Sequence, residues 1–72
     1  MNTTHSINVI VNGQGVQVDT GSTLRALIEY MKLGQSACAA EVNKTFIPRR
    51  EHEKHMLQDG DTIELVSLVG GG

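Results

Sequence analysis

Alternating apolar and polar residues predict that the chain begins with a strand at Ser6. Ile7, Val9 and Val11 fall on one face of that strand, and polar residues separate them. Ile10 is an apolar exception on the opposite face. This strand is therefore expected to bury one face in the core and to carry one apolar side chain on the other.

A hairpin turn is predicted at residues 12–15. Asn12 and Gly13 suit a type I′ turn, because both central positions of that turn need a positive φ. With four residues, this turn would be longer than the tightest hairpins. Val16 and Val18 then alternate with polar neighbours, which predicts the second strand.

Apolar spacing predicts one main helix, from about residue 22 to residue 33. Four apolar residues at i, i+3, i+4 and i+7 form one stripe: Leu24, Leu27, Ile28 and Met31. Ser22 or Thr23 can accept hydrogen bonds from the amide groups of the first turn, and Gly34 is a suitable stop. The stripe is expected to pack on apolar strand positions, namely Ile7, Val9, Val11, Cys38, Val42, Ile63 and Leu65.

Three more strands are predicted in the second half of the chain. Residues 37–43 alternate in polarity, and residues 45–47 form a short strand that Pro48 ends. The charged segment 49–57 indicates one or two loose helical turns. Residues 62–69 alternate again and form the last strand.

The order of these elements predicts one α+β domain over residues 1–72. One helix can cover only one face of a sheet, so the expected architecture has two layers. By analogy, a long connection that returns the last strand beside the first gives the β-grasp, or ubiquitin-like, arrangement. The fold expected is therefore a mixed five-stranded sheet with one main helix across one face.

Apolar residues on the uncovered face of the sheet predict a docking surface. Val66 and Leu68 point away from the helix, alongside Ile10 on the expected neighbouring strand. The solvated face of an antiparallel sheet is normally polar. An apolar patch there is typical of a surface that binds another protein, although scattered apolar surface residues are also common.

Composition removes several classes of function. The 72 residues carry a net charge of −2, and no basic patch favours nucleic acid as a partner. The single cysteine cannot form an internal disulfide or a CxxC zinc site. No apolar stretch is long enough to span a membrane, and residues 1–6 have no features of a secretory signal. A cytoplasmic location is expected.

Three consecutive glycines, Gly70, Gly71 and Gly72, are the most unusual feature. Extended, they span roughly 10 Å, and without side chains they fit a narrow channel in a partner enzyme. A terminal carboxylate on Gly72 is ionised at neutral pH and can attack an electrophile such as the α-phosphate of ATP. The alternatives are a disordered tail or a cloning remnant. Residues 70–72 are expected to be flexible, since glycine loses the most entropy on ordering.

Five short segments of this chain resemble those of a known protein family. They are AEVN at 40–43, IPR at 47–49, LQDGD at 57–61, IELV at 63–66 and VGGG at 69–72. With these segments the chain resembles the ThiS family, the sulfur carriers of thiamine biosynthesis. The first half agrees with that family in layout and length rather than in distinctive residues.

The resemblance implies a carrier that is a substrate of other enzymes and is not an enzyme itself. A ThiF-like enzyme would use ATP and Mg²⁺ to adenylate Gly72, with Gly70 and Gly71 giving access. A cysteine desulfurase would supply persulfide sulfur, which displaces AMP and leaves a thiocarboxylate. That thiocarboxylate would pass its sulfur to a ThiG-like thiazole synthase. The carrier would bind no cofactor and no metal.

Other residues with chemical potential have simpler interpretations. Cys38 shares a face with apolar residues and is expected to be a small buried hydrophobe, with a sulfur relay as the alternative. His52 and His55 lie in a charged segment without a third ligand and are expected on a solvated face. Asp59 and Asp61 flank a glycine and are expected to be turn residues. Residues 49–50, both arginine, are either solvated or a docking contact.

Two other functions remain open from the sequence. The small subunit of molybdopterin synthase resembles this chain in fold and in ending Gly-Gly. A ubiquitin-like module that only binds other proteins is the alternative from a different class. A self-sufficient enzyme is the weakest reading, because no convergent set of titratable residues is visible.

Overall fold

The computed structural model describes residues 5–31 and 38–67, which contain five strands, one α-helix and one short 3₁₀ helix. The strands are β1 (Ser6–Val11), β2 (Gln14–Asp19), β3 (Cys38–Val42), β4 (Thr45–Ile47) and β5 (Thr62–Ser67). The α-helix, α1, is Leu24–Tyr30, and the 3₁₀ helix is Arg49–Glu51. Every predicted element is present in this order.

The five strands form one mixed sheet in the order β2-β1-β5-β3-β4. β1 and β5, the first and last strands of the described residues, are parallel neighbours, and the other pairs are antiparallel. The connection between β4 and β5 therefore carries the chain back to the middle of the sheet. This arrangement confirms the predicted β-grasp fold.

The first hairpin turn is tighter than expected. Asn12 and Gly13 have φ values of 50° and 86°, as a type I′ turn requires. Val11 already pairs with Gln14 across the strands, so the loop has two residues. The prediction of a longer turn over residues 12–15 is wrong, because Gln14 and Gly15 belong to β2.

The helix is capped as predicted but is shorter than predicted. The Thr23 hydroxyl oxygen accepts a hydrogen bond from Ala26 N at 3.1 Å, whereas the Ser22 hydroxyl donates to a carbonyl oxygen of β2. α1 ends at Tyr30, and the predicted stop at Gly34 lies outside the described residues. Within the described ranges, no helix has the length and apolar character needed to cross a membrane.

The core lies between α1 and one face of the sheet. Its buried apolar side chains are Val9, Val11, Leu24, Leu27, Ile28, Ala40, Val42, Ile47, Leu57, Ile63 and Leu65. Ile7, Met31 and Cys38 were expected in this group but are only half-buried. A helix of seven residues covers the middle of the sheet and leaves its margins partly open.

Candidate functional site

β5 occupies the centre of the sheet and leads towards the glycines that were predicted to react. Ile63 and Leu65 are buried beneath α1, while Glu64 and Val66 are exposed on the opposite face, as the alternation predicted. The predicted site residues Leu68, Gly70, Gly71 and Gly72 lie outside the described residues. The described part of the site is therefore the strand that precedes them and the surface around it.

The Asn12 side chain braces β5 from the hairpin turn. Its Nδ2 atom donates to the carbonyl oxygen of Leu65 at 3.2 Å, and its Oδ1 atom accepts from Leu65 N at 2.8 Å. The amide thus pairs with the backbone of β5 as a neighbouring strand would, beyond the end of β1. Sequence reasoning assigned Asn12 to the turn alone and missed this contact.

A second asparagine braces the start of β5 in a similar way. Asn43 and Lys44 have φ values of 52° and 71° and form a tight turn between β3 and β4. The Asn43 Oδ1 atom accepts from Thr62 N at 3.0 Å, and its Nδ2 atom donates to Asp61 Oδ1 at 2.9 Å. Asp61 is buried and also accepts from Gln58 N, so this predicted turn residue is an internal acceptor.

The uncovered face of the sheet carries three exposed apolar side chains. Val66 is 55% exposed and Ile10 is 42% exposed, which places both on the predicted face. Ile10 lies beside Thr62 on β5, four residues from Val66, or about 13 Å along the strand. The third side chain, Phe46, is 61% exposed on β4 and was not predicted to belong to this surface.

Two glutamates lie in the middle of this face. Glu41 and Glu64 are directly opposite each other on β3 and β5, and Glu41 is also opposite Phe46 on β4. Like charges in direct register are unfavourable in a sheet. The uncovered face therefore combines apolar side chains with a concentration of negative charge.

Cys38 is half-buried at the margin of the core, on the face that packs towards α1. Burial raises the pKa of its thiol, against smaller lowering effects of the Val66 backbone and the positive charge of Arg49. A thiol with a raised pKa is a poor nucleophile at neutral pH. These properties favour the small hydrophobe over the sulfur relay.

His52 is buried, so the prediction that it lies on a solvated face is wrong. Its Nε2 atom lies 2.9 Å from the carbonyl oxygen of Ile47 and must donate, because a carbonyl oxygen can only accept. The turn after the 3₁₀ helix directs this ring inward, which its charged sequence neighbours did not indicate. His55 is half-buried.

The remaining polar residues have structural partners or are exposed. Asp59 lies in the predicted turn, which a hydrogen bond from Asp61 N to Gln58 O at 3.0 Å closes, and its Oδ1 atom accepts from Asn8 N at 2.8 Å. The arginines at 49 and 50 are exposed. Among the described residues, no group of three His, Cys, Asp or Glu side chains could hold a metal ion.

A family model described as the ThiS family matches residues 9–72. The chain belongs to the ThiS family. The sulfur carrier protein ThiS of Escherichia coli K12 is 32% identical over 66 residues, which are 92% of this chain and all of that protein. A crystal structure of the thiamine biosynthesis protein ThiS from Geobacter metallireducens matches with a TM-score of 0.75 and 28% identity, over 92% of this chain and all of that one.

A much longer relative contains a segment similar to this chain. The thiazole synthase of Magnetococcus marinus MC-1 is 30% identical over 66 residues, which are 92% of this chain but 20% of that protein. A ThiS-like segment thus occurs within a single polypeptide that is named as a thiazole synthase.

Proposed function

We propose that this chain is a sulfur carrier of thiamine biosynthesis that carries sulfur as a thiocarboxylate on Gly72. The family match carries the proposal, because it runs through the three glycines to Gly72 itself. The Escherichia coli relative, named as a sulfur carrier, is matched over its whole length. This family membership favours the thiamine carrier over a subunit of molybdopterin synthase.

The first chemical step activates the carboxylate of Gly72. A carboxylate has no good leaving group, so a ThiF-like enzyme supplies one. With Mg²⁺ bound to its ATP, that enzyme lets a Gly72 oxygen attack the α-phosphate, and pyrophosphate leaves. The product is an acyl-adenylate, in which AMP is the new leaving group.

The second step exchanges oxygen for sulfur. The terminal sulfur of a persulfide, formed by a cysteine desulfurase, attacks the acyl carbon and expels AMP. A thiol then attacks the outer sulfur of the resulting acyl disulfide, forms a new disulfide and releases the thiocarboxylate. Gly72 has no Cβ to crowd the acyl carbon during either attack.

The carrier then gives its sulfur to a thiazole synthase. The ThiS-like segment inside the Magnetococcus marinus thiazole synthase supports this partner, because joined domains commonly act on each other. In this proposal the carrier supplies no catalytic base, metal or cofactor. Its own part is to present a narrow tail from a braced central strand.

The uncovered face is the proposed docking surface for the activating enzyme. Val66 lies on β5, ahead of the tail. Phe46 adds an apolar side chain to the same face two strands away, on β4. The two glutamates, Glu41 on β3 and Glu64 on β5, favour a partner surface that carries basic residues. Ile10 belongs to the same face but lies at the far end of β5 from Val66.

Intact-mass analysis tests the chemistry directly. With the activating enzyme, ATP and Mg²⁺, we expect the mass of an acyl-adenylate. After a persulfide source and a thiol are added, we expect the mass of one oxygen-to-sulfur exchange at Gly72. Deleting Gly72 leaves the carboxylate about 3.5 Å short, and a shift of about 1 Å can cost on the order of 10²-fold in rate. This truncation should therefore nearly abolish adenylation.

Two further variants distinguish an effect of the tail on the reaction from an effect on folding. Adding one residue after Gly72 should also block adenylation, and Gly71→Val should slow it by steric exclusion. Gly15→Val is the matched control, because a Cβ at Gly15 meets no atom within 4 Å and the position has no positive φ. If the truncated or extended protein is adenylated as fast as the wild type, the tail is not the reactive group.

A further inference from the structure

Within the described residues, most backbone groups on the outer edge of β2 have no hydrogen-bond partner. Every second residue of β2 bonds to β1, as in any antiparallel pair. A hydrogen bond from Thr20 N to His5 O at 3.0 Å shows which residues these are. By this alternation, Val16 and Val18 bond to β1, and the N–H and C=O groups of Gly15, Gln17 and Asp19 point away from the sheet. Within the described residues, β2 pairs with β1 alone.

The two edges of the sheet differ in how well they are protected. β4 has three residues, follows Lys44 and ends before Pro48, so it offers little backbone to another strand. β2 has six residues, contains no lysine, arginine or proline, and carries its single charge at its last residue. Its length and its lack of lysine, arginine and proline leave it less protected than β4 against pairing with another strand.

A groove lies beside this edge, between β2 and α1. Its volume is about 210 Å³, and its apolar lining includes Val18, Ala26 and Leu27, with Tyr30 at the rim. Val16 and Val18 are only half-buried, and Tyr30 is 68% exposed. A strand added at the β2 edge would place a side chain in this groove on every second residue.

We propose that β2 pairs antiparallel with β2 of a second copy of this chain, about a two-fold axis at Gln17. The two Gln17 residues then face each other and exchange both backbone hydrogen bonds. On the helix side, Val16 faces Val18 of the second copy, so half-buried valines cover each other. Each Val16 enters the groove beside the opposite Val18, under the exposed Tyr30.

The sequence of β2 favours this register over its neighbour. Centring the axis on Val16 instead would place Val18 opposite the polar Gln14. Centring it on Gln17 keeps apolar residues opposite one another and places Asp19 opposite Gly15, so the carboxylates stay apart. The Asp19 carbonyl oxygen already accepts from Ser22 N and Oγ, and only its N–H joins the new ladder.

The proposed pairing goes beyond the sulfur-carrier function and leaves its site free. β1 lies between the β2 edge and β5, so the docking face near Val66 and the strand leading to the glycines are not at the contact. Adenylation of Gly72 is therefore expected to proceed in the dimer, and a failure of either proposal does not affect the other.

Sedimentation equilibrium of the purified chain from micromolar to millimolar concentration tests the pairing. We expect the mean mass to rise from 7.8 kDa towards twice that value. Gln17→Lys and Gln17→Glu place like charges on the axis, so each variant alone should stay monomeric. An equimolar mixture of the two should form the dimer again. Gln58→Lys, at an exposed position away from β2, is the matched control and should dimerise as the wild type does.

Gln17→Pro gives an independent test, because it removes an outward N–H and leaves the bonds to β1 intact. It should stay monomeric with an unchanged fold by amide NMR. A wild type that is monomeric at millimolar concentration overturns the proposal. So does a dimer that persists in the single-charge variants, or a mixture that stays monomeric. If the Gln17 amide becomes protected from exchange only when the activating enzyme is added, the edge binds a strand of that enzyme instead.

Discussion

At the scale of single residues, polar side chains act as internal connectors in this small domain. Asn12 and Asn43 occupy turn positions with positive φ and also bond to the backbone at both ends of β5. His52 closes the end of β4 in a comparable way by donating to Ile47 O. Each of these side chains provides a hydrogen-bond partner for a backbone group of a strand.

Asn12→Gly separates the turn role of Asn12 from its bracing role. Glycine keeps the positive φ but removes both bonds to Leu65, which should lower the free energy of unfolding by about 1 kcal/mol. Urea unfolding measures the loss, and the Leu65 amide should exchange faster. Lys44→Gly, in the other turn at positive φ, is the control and should keep or raise stability. Equal losses in both variants would contradict the bracing role.

At the scale of elements, α1 depends on its surroundings. A helix of seven residues is marginal by itself, because nucleation is costly and few hydrogen bonds follow it. The first amide groups of α1 donate to loop carbonyls, Leu24 N to His55 O at 2.8 Å and Arg25 N to His52 O at 2.9 Å. Its buried residues, Leu24, Leu27 and Ile28, then attach it to the sheet.

Leu27→Ala measures that attachment. Leu27 is 1% exposed, and removing its side chain should lower the free energy of unfolding by about 2–5 kcal/mol. This is a large part of the stability of a domain of this size. Glu29→Ala, on the exposed side of α1, breaks a surface ion pair and should cost at most about 1 kcal/mol. A loss at Leu27 no larger than the loss at Glu29 would show that α1 does not seal the core.

At the scale of the whole molecule, α1 covers one face of the sheet and leaves the other face exposed. The face without a helix carries Val66, Phe46 and Ile10 around a central pair of glutamates. Its position beside the end of β5 supports its proposed role in docking. The β2 edge lies outside this face, so the carrier has separate surfaces for its enzymes and for its own copies in the two proposals.

Val66→Asp tests the docking face. The substitution would replace an apolar contact with a carboxylate that loses its hydration in the complex, so affinity for the activating enzyme should fall at least about tenfold, or ~1.4 kcal/mol. Met56→Asp is the matched control, since Met56 is 54% exposed but lies beside the start of α1, where it bridges to Thr23. Titration calorimetry measures both. Unchanged affinity for Val66→Asp would mean that the partner holds the tail alone.

The sequence alone determined the order of the elements and the buried faces of β1 and β5. Two-residue alternation identified Ile63 and Leu65 as buried and Val66 as exposed, because neighbouring side chains of a strand point to opposite sides. The helical stripe identified α1, and the Asn12-Gly13 pair identified the hairpin turn. The three glycines predicted the chemistry of the tail, because the absence of side chains can be seen from the residue type and does not depend on packing.

Tertiary structure decided which residues meet. The register between β1 and β5 places Ile10 beside Thr62 and away from Val66, and no local pattern sets a register between strands that are distant in the chain. Phe46 joined the uncovered face, and His52 was buried, through the packing of β4 and the turn after it. Local periodicity reports the direction of a side chain, whereas burial and neighbours depend on long-range pairing, which the sequence encodes only through the complete fold.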